Sequence, residues 1–157
     1  AIKQNGRQEF SALYDVVITK GAFGKMVDID MEMKNGFVNN YRADGLIFST
    51  PTGSTAYSLS AGGPIIYSSI ECISVTAICP HSLASRAILY SPEEVFTVRG
   101  RYVNNSEILY MSVDGENRVR IEPTDCVVIS KDSRYVKYVN FGSKHYFEKL
   151  NKKIMGR

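Results

Sequence analysis

The chain has 157 residues, 44% apolar and 22% charged, with a net charge of +3. That balance belongs to a single globular domain with a core rather than to a disordered segment. So small a positive excess leaves no footprint for nucleic acid. No apolar run approaches the ~20 residues of a membrane helix, so no membrane partner is expected.

In chain order, "YDVVIT" from Tyr14 is the first predicted strand, rich in β-branched residues. "VDIDMEMK" then alternates, with Val27, Ile29, Met31 and Met33 on one face and Asp28, Asp30, Glu32 and Lys34 on the other. A period of two marks a half-buried strand. Asn35-Gly36 favours a hairpin turn, with "FVNNYRA" as the return strand.

"GLIFS" reads as a buried strand, and it enters the least typical stretch of the chain, "TPTGSTAYSLSAGGP", Thr50 to Pro64. Threonine suits a helix N-cap and proline the first helical position. "STAYSLSA" predicts two turns of helix, closed by Gly62 or Gly63. Strand, polar loop and short helix aim backbone N–H groups at the loop, an arrangement that binds anions. Thr52, Ser54, Thr55, Ser58 and Ser60 add hydroxyls, Gly53 lets a ligand approach the backbone, and Tyr57 offers a ring with a polar tip. The competing reading is a plain connection whose hydroxyls bond to the local backbone. Chemistry alone leaves both readings open. Neither a G-x-x-x-x-G-K-[ST] P-loop nor a G-x-G-x-x-G fingerprint occurs.

Beyond the loop, "CISVTAIC", "AILY", "EVFTVRG", "EILYMSV", "RVRIE", "CVVIS" and "RYVKYVNF" predict further short strands, with Asp114-Gly115 as a hairpin turn. Many short strands at close spacing predict a mainly β fold, a two-layer β-sandwich. A short helix follows the Thr/Ser/Gly loop. A second helix is expected over 144–157, with Tyr146, Phe147, Leu150 and Ile154 on its apolar side and lysines in solvent. Cys72, Cys79 and Cys126 fit neither a disulfide framework nor a zinc site, so they read as buried thiols and no metal is expected. His81 stands beside Cys79 and Pro80 with no acidic neighbour in sequence, a structural rather than catalytic setting.

"ADGLIFSTPTGSTAYSLSAGGPII", Ala43 to Ile66, closely resembles the signature of NAD kinases, which phosphorylate NAD to NADP. "ALYDVVITKG", "VTAICPHSL" and "SVDGE" resemble further family segments, so the likeness extends over almost all of 1–157, as the C-terminal NAD-binding domain. The resemblance implies a substrate site of Tyr14, Asp15, Asp44, Thr52, Thr55, Ala56, Tyr57 and Ser60. Tyr14 stands where the family usually has asparagine, and Asp15 keeps the acid beside it. Cys79 and His81 align with positions facing a neighbouring subunit's site, which implies a homodimer or homotetramer, and Asp114 is a candidate carboxylate near the ribose.

The family's Gly-Gly-Asp-Gly motif, which serves the phosphates from an N-terminal α/β domain, does not occur in this sequence. No catalytic residue is therefore assigned here, and the chain alone is expected to be inactive as a kinase. The resemblance implies that its partner is the missing N-terminal domain, which the 144–157 helix would contact. It also implies ATP or polyphosphate as donor, Mg²⁺ or another divalent cation, and a cytoplasmic location. Two alternatives remain: a lipid kinase domain of the diacylglycerol or sphingosine type, and a non-catalytic β-sandwich for oligomerisation or regulation.

Overall fold

Alternation along the strands separates an inner layer from two outer faces. In the computed structural model, which describes residues 2–3, 8–21, 25–101, 108–139, 148 and 150–156, twelve strands form two six-stranded sheets. In chain order they are β1 (Ile2–Lys3), β2 (Gln8–Glu9), β3 (Asp15–Lys20), β4 (Val27–Met33), β5 (Val38–Ala43), β6 (Gly45–Ser49), β7 (Ile73–Ile78), β8 (Ile88–Tyr90), β9 (Phe96–Arg101), β10 (Leu109–Val113), β11 (Glu116–Ile121) and β12 (Val127–Ile129). The first sheet runs β2-β1-β12-β9-β4-β5 and the second β11-β10-β3-β6-β7-β8. All neighbours are antiparallel.

Val27, Ile29 and Met31 of β4 turn inward and are buried, while Asp30 and Glu32 of the same strand pair outside with Arg101 and Arg99 at 2.8 and 3.3 Å. From the second sheet Val16, Ile18, Leu46, Phe48 and Val75 meet this inner face in one apolar cluster. Phe96 joins the sheets: its ring lies 5.5 Å from that of Phe48 and 5.1 Å, edge-on, from that of Tyr90. Each such buried side chain contributes about 1.5–3 kcal/mol relative to exposure. The predicted two-layer β architecture is what the chain forms.

Details depart from the sequence reading. The hairpin at Asn35-Gly36 forms, with Gly36 at φ +81° and the Met33 and Phe37 backbones bonded across it. "RYVKYVNF" yields no strand among its described residues: Tyr135, Val136, Tyr138 and Val139 are all exposed. β-propensity alone forms no strand where no neighbour supplies ladder bonds and a packing surface. Cys72 and Cys126 are buried as expected, with burial pushing the Cys72 thiol pKa up, but Cys79 is exposed. It follows β7 at φ +44°, so the chain turns outward there instead of extending the strand.

At the end of the chain the described residues form a five-residue π-helical turn, Asn151–Met155, closed by left-handed Gly156. Leu150 is half-buried and Ile154 exposed, whereas Tyr146 and Phe147 lie outside the described residues. Among the described residues no helix is long and apolar enough to cross a membrane.

Candidate functional site

The Thr50–Pro64 stretch folds back over the outer face of the second sheet. A 3₁₀ turn, Gly53–Thr55, leads into a four-residue helix, α1 (Tyr57–Ser60), shorter than the two turns expected. Hydroxyl groups do much of the shaping. Thr50 Oγ1 donates to the Leu13 carbonyl at 2.7 Å and accepts the Gly53 N–H at 3.1 Å. Ser54, fully buried, donates to the Pro51 carbonyl at 2.6 Å and accepts the Ile66 N–H at 3.1 Å. Ser58, also buried, shares a hydrogen bond of 3.1 Å with Thr76 on β7. Ala61 then packs against the small outer cluster of Val17, Ile47 and Ile78.

The inner side of the loop is therefore a hydrogen-bonded connection, and the outer side is left for other work. Ala56, Tyr57 and Ser60 are exposed, while Thr52 and Thr55 are half-buried. The Thr55 hydroxyl donates to the Thr52 carbonyl at 3.4 Å. Two sequence readings are corrected. The N–H groups of Gly53, Ser54, Ala56 and Leu59 are bonded within the loop, so these four are not aimed at a ligand. Gly53 is not there for a ligand: a Cβ would lie 1.9 Å from the Tyr14 carbonyl oxygen, so glycine serves close packing of the chain on itself.

Leu13, Tyr14 and Asp15 form the corner against which the loop packs. The Thr50 N–H donates to the Tyr14 carbonyl at 3.0 Å. Asp114 approaches from the β10–β11 turn. Its carboxylate accepts the N–H groups of Leu13 at 2.7 Å, Tyr14 at 2.7 Å and Asp15 at 3.0 Å. Asp114 and Gly115 have φ values of +50° and +76°, the left-handed backbone that a two-residue hairpin turn needs. Tyr14 is exposed, whereas Asp15 is 5% exposed. Among the described residues the Asp15 carboxylate receives no hydrogen bond. Burial, and then the nearby Asp114 charge, raise its pKa above the usual carboxylate value.

Asp15, Thr52 and Asp114 all line a cleft of about 1000 Å³ at this end of the sandwich. At its rim Asp132 binds Arg134 at 2.7 Å and accepts the Ser11 hydroxyl at 2.6 Å. The Arg134 guanidinium, aided by Ser11, holds the Asp132 pKa well below the usual range.

Other nominated residues lie elsewhere. Asp44 precedes β6, while Thr50 follows it, so the two are about 20 Å apart along the strand. Asp44 pairs with Lys20 at 2.7 Å. Cys79 follows Ile78, the residue opposite Gly45, and the His81 N–H donates to the Arg42 carbonyl at 2.8 Å. Asp44, Cys79 and His81 thus share one end of the sheet, and Asp15, Thr52 and Asp114 share the other. Tyr57 and Ser60 stand on the loop between them. Sequence reading missed what joins the corner: Thr50 and Asp114 lie 37 and 101 residues from Leu13 in sequence, and only their turn-forming character was local.

No group of three His, Cys, Asp or Glu residues poised to hold a metal ion occurs among the described residues. The family model for the ATP-NAD kinase C-terminal domain matches residues 13–141. An NAD kinase of Thermoanaerobacter sp. (strain X514) is 42% identical over 148 residues, covering 94% of this chain and 52% of that protein. The NAD kinase of Geobacter sulfurreducens (strain ATCC 51573 / DSM 12127 / PCA) is 40% identical over 156 residues, 98% of this chain and 54% of that protein. The chain thus spans about half the length of these relatives.

Among solved structures, the NAD kinase from Archaeoglobus fulgidus in complex with ATP superposes with a TM-score of 0.66 at 27% identity, over 78% of this chain and 46% of that one. Yeast NADH kinase complexed with NADH shares the fold, with a TM-score of 0.81 at 24% identity over 99% of this chain and 47% of its own.

Proposed function

Since the chain belongs to the ATP-NAD kinase family, as its C-terminal domain, we propose that it binds NAD and presents the adenosine 2′-hydroxyl for phosphorylation to NADP. The observation that carries the reading is the two-sided loop. Its inner hydroxyls are spent on the fold, while Ala56, Tyr57 and Ser60 face outward from the family signature. Tyr57 supplies a ring face and a hydroxyl, a combination suited to a flat heteroaromatic ring carrying polar groups. Thr52, Thr55 and Ser60 supply hydroxyls, and Asp15 accepts hydrogen bonds from ribose hydroxyls.

An approaching hydroxyl would give the Asp15 carboxylate a partner that none of the described residues supplies. Binding would therefore offset a desolvation cost already present in the fold. Tyr14 brings a phenol and no amide to the same corner.

The reading extends to a phosphoryl donor, ATP or polyphosphate, and to a soluble cytoplasmic setting. Phosphoryl transfer rests on positioning and charge neutralisation, commonly with Mg²⁺. The described residues do not fit a divalent cation: no trio of ligands is present, and Asp114 is occupied by backbone N–H groups.

Asp44, Cys79 and His81, at the far end of the sheet, serve the site of a second copy in this reading. The loop signature favours a dinucleotide over a lipid, in keeping with the family.

Calorimetric titration with NAD tests the proposal. The protein should give a saturable heat, and Tyr57→Ala should bind at least about tenfold more weakly, the loss of an aromatic anchor. Equal affinity in both proteins would remove Tyr57 from the site, and no heat from the unsubstituted protein would sink the reading.

A further inference from the structure

The Leu13–Asp15 corner is held from two sides. Its three N–H groups converge on one carboxylate, that of Asp114, at 2.7, 2.7 and 3.0 Å. Its carbonyls face Thr50: Leu13 accepts the Thr50 hydroxyl at 2.7 Å, and Tyr14 accepts the Thr50 N–H at 3.0 Å. The Asp114 N–H in turn donates to the Asp15 carbonyl at 3.0 Å. This places the β10–β11 turn, the start of β3 and the start of the Thr50–Pro64 loop around one short segment. Hydrogen bonds from N–H groups to a carboxylate are charge-assisted and stronger than neutral ones. A carboxylate with three such bonds has little capacity left for a substrate hydroxyl.

We propose that Asp114 is a positioning residue of the NAD site: it does not touch the dinucleotide but fixes the backbone from which Asp15 and, through the Tyr14 carbonyl, the Thr50–Pro64 loop are presented to it. This rests on the reading of Asp15 and the loop as the NAD-binding surface. Asp114 is suited to the task twice over. Aspartate tolerates the left-handed backbone at φ +50°, and its short side chain reaches back to the neighbouring corner. The left-handed turn aims the carboxylate, and the carboxylate sets the corner.

The test is Asp114→Asn, which keeps the turn conformation and the side-chain size but replaces one acceptor oxygen by an NH₂ group. Proton–nitrogen NMR of the protein should show the Leu13, Tyr14 and Asp15 amide protons moving upfield as charge-assisted bonds are lost. NAD affinity should fall roughly tenfold, the scale of a lost hydrogen bond to a charged group. Asp114→Gly, which suits the left-handed turn and removes the carboxylate altogether, should weaken binding at least as much.

Three results overturn the inference. Amide protons that stay in place would show that the carboxylate does not hold the corner. Amide protons that move with NAD affinity unchanged, while Asp15→Asn weakens it, would make Asp114 a fold residue only. Unchanged amide protons with weakened binding would make Asp114 a direct ligand instead. Failure of the underlying reading is recognised separately, because the unsubstituted protein would then bind no NAD; the positioning role would fall with it.

Discussion

At the scale of single residues, Asp15 shows the tension between fold and site most clearly. It begins β3, lies 95% out of solvent by its 5% exposure, and faces a cleft beside a second carboxylate. Its raised pKa means that the folded state holds this proton at pH values where the unfolded chain has released it. The folded state binds more protons over that interval, so this group's contribution to stability declines as pH rises. The decline starts near the unfolded value, about 3.9, and ends once the folded Asp15 has ionised. Above the unfolded value the raised pKa therefore counts against the fold. Asp15→Asn should raise stability at pH 7 by about 1 kcal/mol, the usual gain when a functional group is relieved of its task, and the gain should vanish near pH 3. Urea unfolding at both pH values measures this; a variant less stable than its parent at pH 7 would contradict the burial argument. The same substitution should weaken NAD binding, so stability and affinity move in opposite directions.

At the scale of elements, the loop from Thr50 to Pro64 depends on one glycine for its fit. A methyl group at Gly53 would overlap the Tyr14 carbonyl, which is backbone and cannot rotate away. Gly53→Ala must then push the loop off the corner or bend β3. A cost of about 1–3 kcal/mol, that of overpacking, is expected, together with a loss of NAD affinity because Tyr57 and Ser60 travel with the loop. Chemical denaturation and calorimetry of the variant check both effects.

The element scale is also where the sequence was most and least informative. The alternation in β4 could be read directly, since Val27, Ile29 and Met31 must all leave water on the same face. The turns at Gly36 and at Asp114-Gly115 were legible because few residues adopt a left-handed backbone cheaply. The fate of Arg134–Val139 was not, because a strand requires a partner and a local pattern cannot say whether one is near. The same holds for the hydroxyls. Ser54 and Ser58 look like Ser60 in the sequence, and only the path of the loop decides that the first two face inward and the third outward.

At the scale of the whole molecule, the nominated residues divide between opposite ends of one sheet, about 20 Å apart along β6. A single copy holds Asp15 and Thr52 at one end and Asp44, with Cys79 and His81, at the other. A symmetric pair can bring unlike ends together, because a two-fold axis that joins one end of the first copy to the other end of the second creates two equivalent contacts. The reading in which Asp44 serves a neighbour's site makes a quantitative claim. Asp44→Ala and Tyr57→Ala should each impair NAD binding when assembled alone. Mixed after unfolding and refolded together, half of the dimers pair unlike copies. Each of those keeps one site with an intact Tyr57 from one copy and an intact Asp44 from the other, so ~a quarter of all sites recover for a two-fold dimer. Binding stoichiometry by calorimetry distinguishes this from the alternative, in which Asp44 acts beside the Tyr57 of its own chain. There every site in the mixture carries one substitution, and no high-affinity sites return. Recovery would assign the far end of the sheet to the partner's substrate, and its absence would confine the site to one copy and leave the Asp44–Lys20 pair a structural role.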